Sequence, residues 1–87
     1  NPALRINLGE VYMLQKDYKN AVDSFKLAVL AKDDHPNSHF NLATAYKENS
    51  ELNLAKQEFE KTLILLPKES KDYDIAKKEL DQLKDQE

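Results

Sequence analysis

Two histidines, His35 and His39, stand four residues apart, which is the spacing of a zinc-binding pair on one face of a helix. The intervening Pro36-Asn37-Ser38 lacks the glutamate of the metalloprotease motif, and no third ligand is evident. His35 also precedes a proline, where the helical conformation is disfavoured. We therefore expect one histidine in a linker and the other in a helix, with no metal or other cofactor.

Other catalytic chemistry finds equally little support. The serines lack the flanking glycines of a nucleophile elbow; they are Ser24, Ser38, Ser50 and Ser70. The carboxylates alternate with lysines, as on a solvated helix face. Gly9 is the single glycine and cannot by itself form a phosphate-binding loop. The sequence therefore predicts a protein that is not an enzyme.

The composition of the chain argues against several classes of binding partner and site. The chain has 13 basic and 16 acidic residues and a net charge of −3, which argues against nucleic acid because phosphate contacts need clustered Lys and Arg. It has no cysteine, hence no disulfide or thiolate metal site, and no apolar run near the roughly 20 residues that cross a bilayer. We expect a soluble protein whose compartment the sequence leaves undetermined, because the absence of Cys suits reducing and oxidising environments alike; the cytoplasm is favoured. The missing initiator Met suggests a piece of a longer protein.

The helical spacing of the apolar residues predicts five helices. With one Gly and three Pro in the chain, few residues would interrupt them. The first runs from about Ala3 to Gln15 with Asn1 as its cap. The second starts after Asp17 and ends near Lys32, and the third opens at Asn37 and Ser38. The fourth stops at Pro67. The fifth spans about Lys71 to Lys84 with Ser70 as its cap, and its single apolar stripe suits a closing helix.

A period of 34 residues organises the chain. Asn7-Leu8-Gly9-Glu10-Val11-Tyr12 returns as Asn41-Leu42-Ala43-Thr44-Ala45-Tyr46, and the same offset relates Pro2 to Pro36, Ala21 to Ala55 and Phe25 to Phe59. A heptad bundle would not restore the same residues at this distance. The period therefore indicates stacked helix pairs.

These residues resemble the tetratricopeptide repeat, whose pattern is W-x2-L-G-x2-Y, then A-x3-F, then P. The first copy reads Arg5-x2-Leu8-Gly9-x2-Tyr12, then Ala21-x3-Phe25, and the second reads His39-x2-Leu42-Ala43-x2-Tyr46, then Ala55-x3-Phe59, ending on Pro67. The resemblance implies an all-α, right-handed superhelical stack of antiparallel helix pairs. We expect repeats at 1–34 and 35–68 and a capping helix at 69–87.

The pattern has a physical reason and some departures. A small residue at Gly9 or Ala43 lets two helices approach closely, so that Leu8, Tyr12, Ala21 and Phe25 interlock in the first pair. Arg5 and His39 stand where an aromatic is usual, Asp33 replaces a Pro, and Thr62 replaces an Ala. Lys16 and Ser50 occupy turns where Gly is commoner, which predicts backbone strain.

The resemblance also implies a concave groove lined by the first helix of each pair. By that resemblance Asn7 and Asn41 face the groove, where an amide offers both a donor and an acceptor to a peptide backbone. The groove residues are expected to be Asn7, Asn41, Ile6, Glu10, Met13, Phe40, Thr44 and Lys47. The alternative is that Ile6 and Phe40 simply pack on neighbouring helices.

Some family members grip a terminal carboxylate with a Lys, Arg and Asn set. Asn41 and Lys71 fit that set, but Ile6, Glu10 and Ile75 do not. The leading hypothesis is therefore a scaffold that binds a peptide segment of a protein partner. The alternatives are a structural end-piece of a longer array, or self-association through the face of the first helix.

Overall fold

The computed structural model describes residues 2–31 and 36–85, with side chains from residue 7 onward. This part of the chain forms five helices and no strand: α1 (Pro2–Leu14), α2 (Tyr18–Ala31), α3 (Pro36–Glu48), α4 (Leu52–Leu65) and α5 (Lys71–Lys84). The all-α prediction is confirmed, and each observed boundary lies within a residue or two of the predicted one. The predicted Asn1 cap and the breaking residues at 33–35 lie outside the described residues.

The two helix pairs are closed by the same tight turn. Lys16 and Ser50, 34 residues apart, both have a positive φ, 59° and 63°. The amide of Asp17 donates to the Tyr12 carbonyl at 2.9 Å, and that of Glu51 to the Tyr46 carbonyl at 2.8 Å. Such bonds across a left-handed residue end a helix and usually select glycine. The predicted strain at Lys16 and Ser50 therefore has a direct backbone cause.

The predicted caps of α2 and α5 are confirmed. Asp17 Oδ1 accepts a hydrogen bond from the Asn20 amide at 3.4 Å, and Ser70 Oγ accepts one from the Tyr73 amide at 3.1 Å. The Ser70 hydroxyl also donates to the Pro67 carbonyl at 2.7 Å. Each cap occupies an amide that the first helical turn leaves without an internal partner. These two bonds fix where α2 and α5 begin.

Proline ends α4 as the sequence predicts. Leu66, directly before Pro67, has an extended backbone with φ −106° and ψ 146°. The proline ring disfavours a helical conformation in the residue before it. Leu66 therefore leaves the helix axis, and the chain turns toward α5.

The core lies between the two pairs and is closed by α5. Its buried apolar side chains include Phe25, Leu42, Phe59, Leu80 and Leu83, with Ala21, Ala43, Ala45 and Ala55 at the close approaches. A Cβ added to Gly9 would approach three atoms of the Phe25 ring to 2.7 Å or less. The predicted close helix contact at Gly9 is therefore confirmed. The predicted apolar stripe of α5 is Tyr73, Ala76, Leu80 and Leu83; the last three are buried and Tyr73 is half-buried.

The expected interlocking of Leu8 is wrong. Leu8 is 43% exposed, whereas its equivalent Leu42 is 3% exposed. α3 lies between α2 and α4, while α1 contacts α2 and only the edge of α3. In the described part of the chain, no helix stands beside α1 in the place that α2 takes beside α3. The outer face of α1, formed by Leu8 and Val11, therefore remains open.

Candidate functional site

The candidate site is the face formed by α1 and α3, the first helices of the two pairs, which make a small contact with each other. Seven of the eight predicted groove residues are described with their side chains: Asn7, Glu10, Met13, Phe40, Asn41, Thr44 and Lys47. The side chain of Ile6 lies outside the described residues. The seven residues are called the α1–α3 face below.

The two asparagines lie at equivalent places on adjacent helices. Asn7 is exposed and Asn41 is half-buried. Within the described residues, no hydrogen bond engages either side-chain amide. Each amide can therefore offer its carbonyl and its NH₂ group to a ligand.

The apolar part of the face is tied to the core. Phe40 packs edge-to-face on Phe59, with ring centroids 5.6 Å apart and an interplanar angle of 72°. Met13 is half-buried and also packs against the core cluster. Phe40 therefore does what the packing alternative expected, yet part of its ring remains accessible. An anchored aromatic is a rigid contact surface for a ligand.

Two of the polar residues already have partners. The Thr44 hydroxyl donates to the Phe40 carbonyl at 3.0 Å, so its proton is used within α3. Lys47 Nζ lies 2.8 Å from Glu79 Oε2, which ties α3 to α5. Glu10 is exposed. A ligand would thus meet two uncommitted amides and one open carboxylate, while Thr44 and Lys47 support the helix packing.

A cavity of about 190 Å³ adjoins this face between the first turns of α3, the end of α4 and the first turns of α5. Its apolar lining residues are Pro36, Phe40, Leu66 and Ile75, and its polar ones are Asn37, Thr62 and Asp72. Of these lining residues, the sequence placed only Phe40 in the groove and gave no site role to Leu66, Thr62 or Asp72. Thr62 and Leu66 come from the end of α4, which packs on α3, and only Asp72 reaches the cavity through the turn at Pro67. The 34-residue period gives no indication of that turn.

A buried polar cluster explains the departure at His39. His39 Nδ1 lies 2.7 Å from Glu58 Oε1, and Lys61 Nζ lies 3.1 Å from Glu58 Oε2. Both His39 and Glu58 are buried. The imidazole can donate to the carboxylate, so the polar residue that replaces the usual aromatic is satisfied. In the first repeat the position of Glu58 is held by Ser24.

The zinc interpretation gains no support. His39 lies in α3, as expected, while His35 is outside the described residues. Over the described part of the chain, no three His, Asp or Glu side chains are grouped so as to hold a metal ion. The carboxylate clamp gains none either, since the position that the resemblance assigns to a clamp arginine holds Ile75, which is apolar.

Over residues 2–31 and 36–85, every helix is too short or too polar to span a bilayer.

The comparisons with known proteins agree with the architecture. A family model described as "Tetratricopeptide repeat" matches residues 2–35 and again residues 36–63. No curated protein matches the chain. The two matched segments together cover well over half of the sequence.

Proposed function

The chain belongs to the tetratricopeptide repeat family, whose repeats generally mediate protein–protein interactions, and on that premise we propose that its α1–α3 face holds an extended segment of a partner protein. In this proposal the protein is a non-catalytic scaffold. The expected partner is a protein or peptide rather than nucleic acid or a membrane.

The observation that carries the proposal is the pair Asn7 and Asn41. The same polar residue occurs at both positions, 34 residues apart, on two helices that contact each other. Neither amide is engaged within the described residues. Because an amide can pair with both N–H and C=O groups, two of them in register suit a peptide backbone of any sequence.

The dimensions are consistent with this ligand. The longest axis of the molecule is 29 Å. At roughly 3.3–3.6 Å per residue, about eight extended residues match that longest axis, which is an upper bound for a segment that crosses only α1 and α3. Met13 and the accessible part of Phe40 give such a segment apolar contacts, and the flexible thioether of Met adapts to different side chains.

The test begins with a selection of displayed random peptides against the chain. The affinity of one selected peptide is then measured by fluorescence polarisation for the natural chain and for Asn7→Ala/Asn41→Ala. We expect the double variant to bind about 10-fold to 100-fold more weakly, since each of the two lost hydrogen bonds costs roughly 0.5–1.5 kcal/mol.

The matched control replaces two exposed amides of α4, Asn53→Ala/Gln57→Ala. It removes the same kind of group from another surface and should bind the peptide like the natural chain. Equal affinity of both double variants would refute the proposed role of Asn7 and Asn41.

A second candidate function is self-association through the outer face of α1. Leu8 and Val11 are exposed there, while Leu42 and Ala45, at the equivalent positions of α3, are buried beside α2. The occupant we propose is a second copy of this chain, whose α1 exposes the same two side chains for a symmetric contact. Two apolar side chains provide a small part of the roughly 1,600 Å² of a standard interface, so the association would be weak.

Sedimentation equilibrium over a wide concentration range tests this candidate. The natural chain should show a dimer at high concentration, and Val11→Glu should abolish it. Asn53→Asp adds the same charge on α4 and should leave the dimer intact. A natural chain that stays strictly monomeric would exclude this function.

A further inference from the structure

We infer that the 190 Å³ cavity between α3, α4 and α5 is an anchor pocket for one large apolar side chain of the bound segment, and that Asp72 holds a lysine or arginine next to that side chain. This inference rests on the proposed function and specifies its partner: a segment in which an apolar residue is adjacent to a basic one.

The size of the cavity favours a side chain over a small molecule. Sites for drug-sized ligands and cofactors typically measure about 300–1,000 Å³. A cavity of about 190 Å³ is smaller than that range and is on the scale of a single large side chain. Single buried anchors of this kind dominate the energetics of many interfaces.

The walls are apolar and well supported. Phe40 is fixed by its edge-to-face contact with Phe59, and Leu66 is fixed by the extended backbone before Pro67. Ile75 is 51% exposed and offers apolar area that a ligand would remove from water. The hydrophobic gain on binding therefore comes without rearrangement of the supporting residues.

The polar side of the cavity indicates the charge of the ligand. Among the described residues that line it, Asp72 alone is charged, and no ion pair or side-chain hydrogen bond in the described part of the chain engages its carboxylate. Asn37 adds an amide that is equally uncommitted. A carboxylate beside apolar walls attracts a cationic group. The net charge of −3 on the whole chain also favours a basic partner.

The cavity is continuous with the α1–α3 face. Asn37 and Asn41 are four residues apart on α3, so they are neighbours on one side of the helix. Phe40 lies next to them and belongs to both the face and the cavity. A segment paired with Asn41 can therefore place its next side chains at the cavity without leaving α3.

The experiment selects displayed random peptides on the natural chain, on Asp72→Lys and on the control Asp74→Lys. Asp74 shares the first turn of α5 with Asp72 but does not line the cavity. The natural chain and the control should both enrich a large apolar residue adjacent to Lys or Arg. Asp72→Lys should enrich Asp or Glu in place of the basic residue.

The anchor is tested on one selected peptide. Changing its apolar residue to Ala should weaken binding to the natural chain about 10-fold to 100-fold. Asp72→Asn, which keeps the shape of the side chain, serves if Asp72→Lys does not fold by circular dichroism. It should remove the preference for a basic residue.

The outcomes separate the two proposals. Peptides that need Asn7 and Asn41 but show no apolar–basic pair would overturn the anchor pocket and leave the proposed function standing. Identical preferences for Asp72→Lys and Asp74→Lys would overturn the role of Asp72. If the natural chain enriches no peptide, both proposals fail.

Discussion

The first and second repeats carry the same motif in different surroundings. α3 of the second repeat lies between α2 and α4, and its Leu42 and Tyr46 are buried. α1 of the first repeat has α2 on one side only, and its equivalent residues Leu8 and Tyr12 are exposed and half-buried. Burial in this fold thus follows from the neighbouring helix and cannot be read from the motif alone.

The residues that differ between the repeats fit their surroundings. The second repeat has Ala45, fully buried, where the first has the exposed Val11. It also has a buried His39–Glu58 pair at positions that hold Arg5 and Ser24 in the first repeat. A stacked array behaves as a sum of repeat and interface terms, so each repeat should contribute according to how many neighbours it has.

The largest difference is expected for one substitution made in both repeats. Leu42→Ala should lower the free energy of unfolding by about 2–5 kcal/mol because it opens a cavity in the core. Leu8→Ala should lower it by less than about 1 kcal/mol because the side chain is already half in water. Urea denaturation of both variants measures the two values. Equal losses would show that Leu8 is as buried as Leu42 and would break the comparison.

The second test concerns the contact between the helices of each pair. Gly9→Ala should destabilise the chain by about 1–3 kcal/mol, since the new methyl group would collide with the Phe25 ring. The second repeat has Ala43 at this position and already accommodates the methyl group. Thermal unfolding of Gly9→Ala, with Gly9→Ala/Phe25→Leu as the relieving control, measures the effect. A single variant as stable as the natural chain would contradict the close packing.

The third test probes a feature that the repeats share. Lys16→Gly and Ser50→Gly should each raise the free energy of unfolding by about 0.5–1 kcal/mol, because glycine tolerates the positive φ at these turns. Chemical denaturation of the two variants should give similar gains despite the different burial of the repeats. A gain in only one repeat would mean that its neighbours, rather than the turn itself, decide the strain.

The smallest expected effect is a dependence on alkaline pH. Burial raises the pKa of the Tyr46 phenol, and the nearby carboxylates of Glu58, Glu51 and Asp23 raise it further. A folded-state pKa above the unfolded value of about 10 contributes stability that is fully present below that pH and is lost as the pH rises through the folded pKa. The free energy of unfolding, measured from about pH 9 to about pH 11, should therefore decrease more steeply for the natural chain than for Tyr46→Phe. Parallel pH profiles would contradict the burial of this phenol.

The sequence predicts most of the fold because its signals are local and repeated. The proline at 67, the caps Asp17 and Ser70 and the small residues Gly9 and Ala43 each act through the backbone or one close contact. Their effects hold whatever lies further along the chain. The helix boundaries therefore follow closely from the residues.

The site is less predictable because it depends on contacts between distant segments. The position of Asn7 and Asn41 in the repeat motif predicted that the α1–α3 face is the candidate site. No local signal indicated that Lys47 would pair with Glu79. The cavity joins residues from 36 to 75 through the turn at Pro67, and the exposure of Leu8 depends on which helix lies beside α1. The lining of the cavity and the exposure of Leu8 depend on how the helices pack against each other, so they are visible only in the folded structure.

The most direct test of the central claim couples the peptide backbone to Asn7 and Asn41. A selected peptide is methylated at each backbone nitrogen in turn, and its affinity is measured for the natural chain, Asn7→Ala and Asn41→Ala in a double-mutant cycle. We predict that one methyl group weakens binding to the natural chain but has no further effect in Asn7→Ala, and that a second position is coupled to Asn41 in the same way. Purely additive losses at every backbone position would contradict pairing between these amides and the peptide backbone.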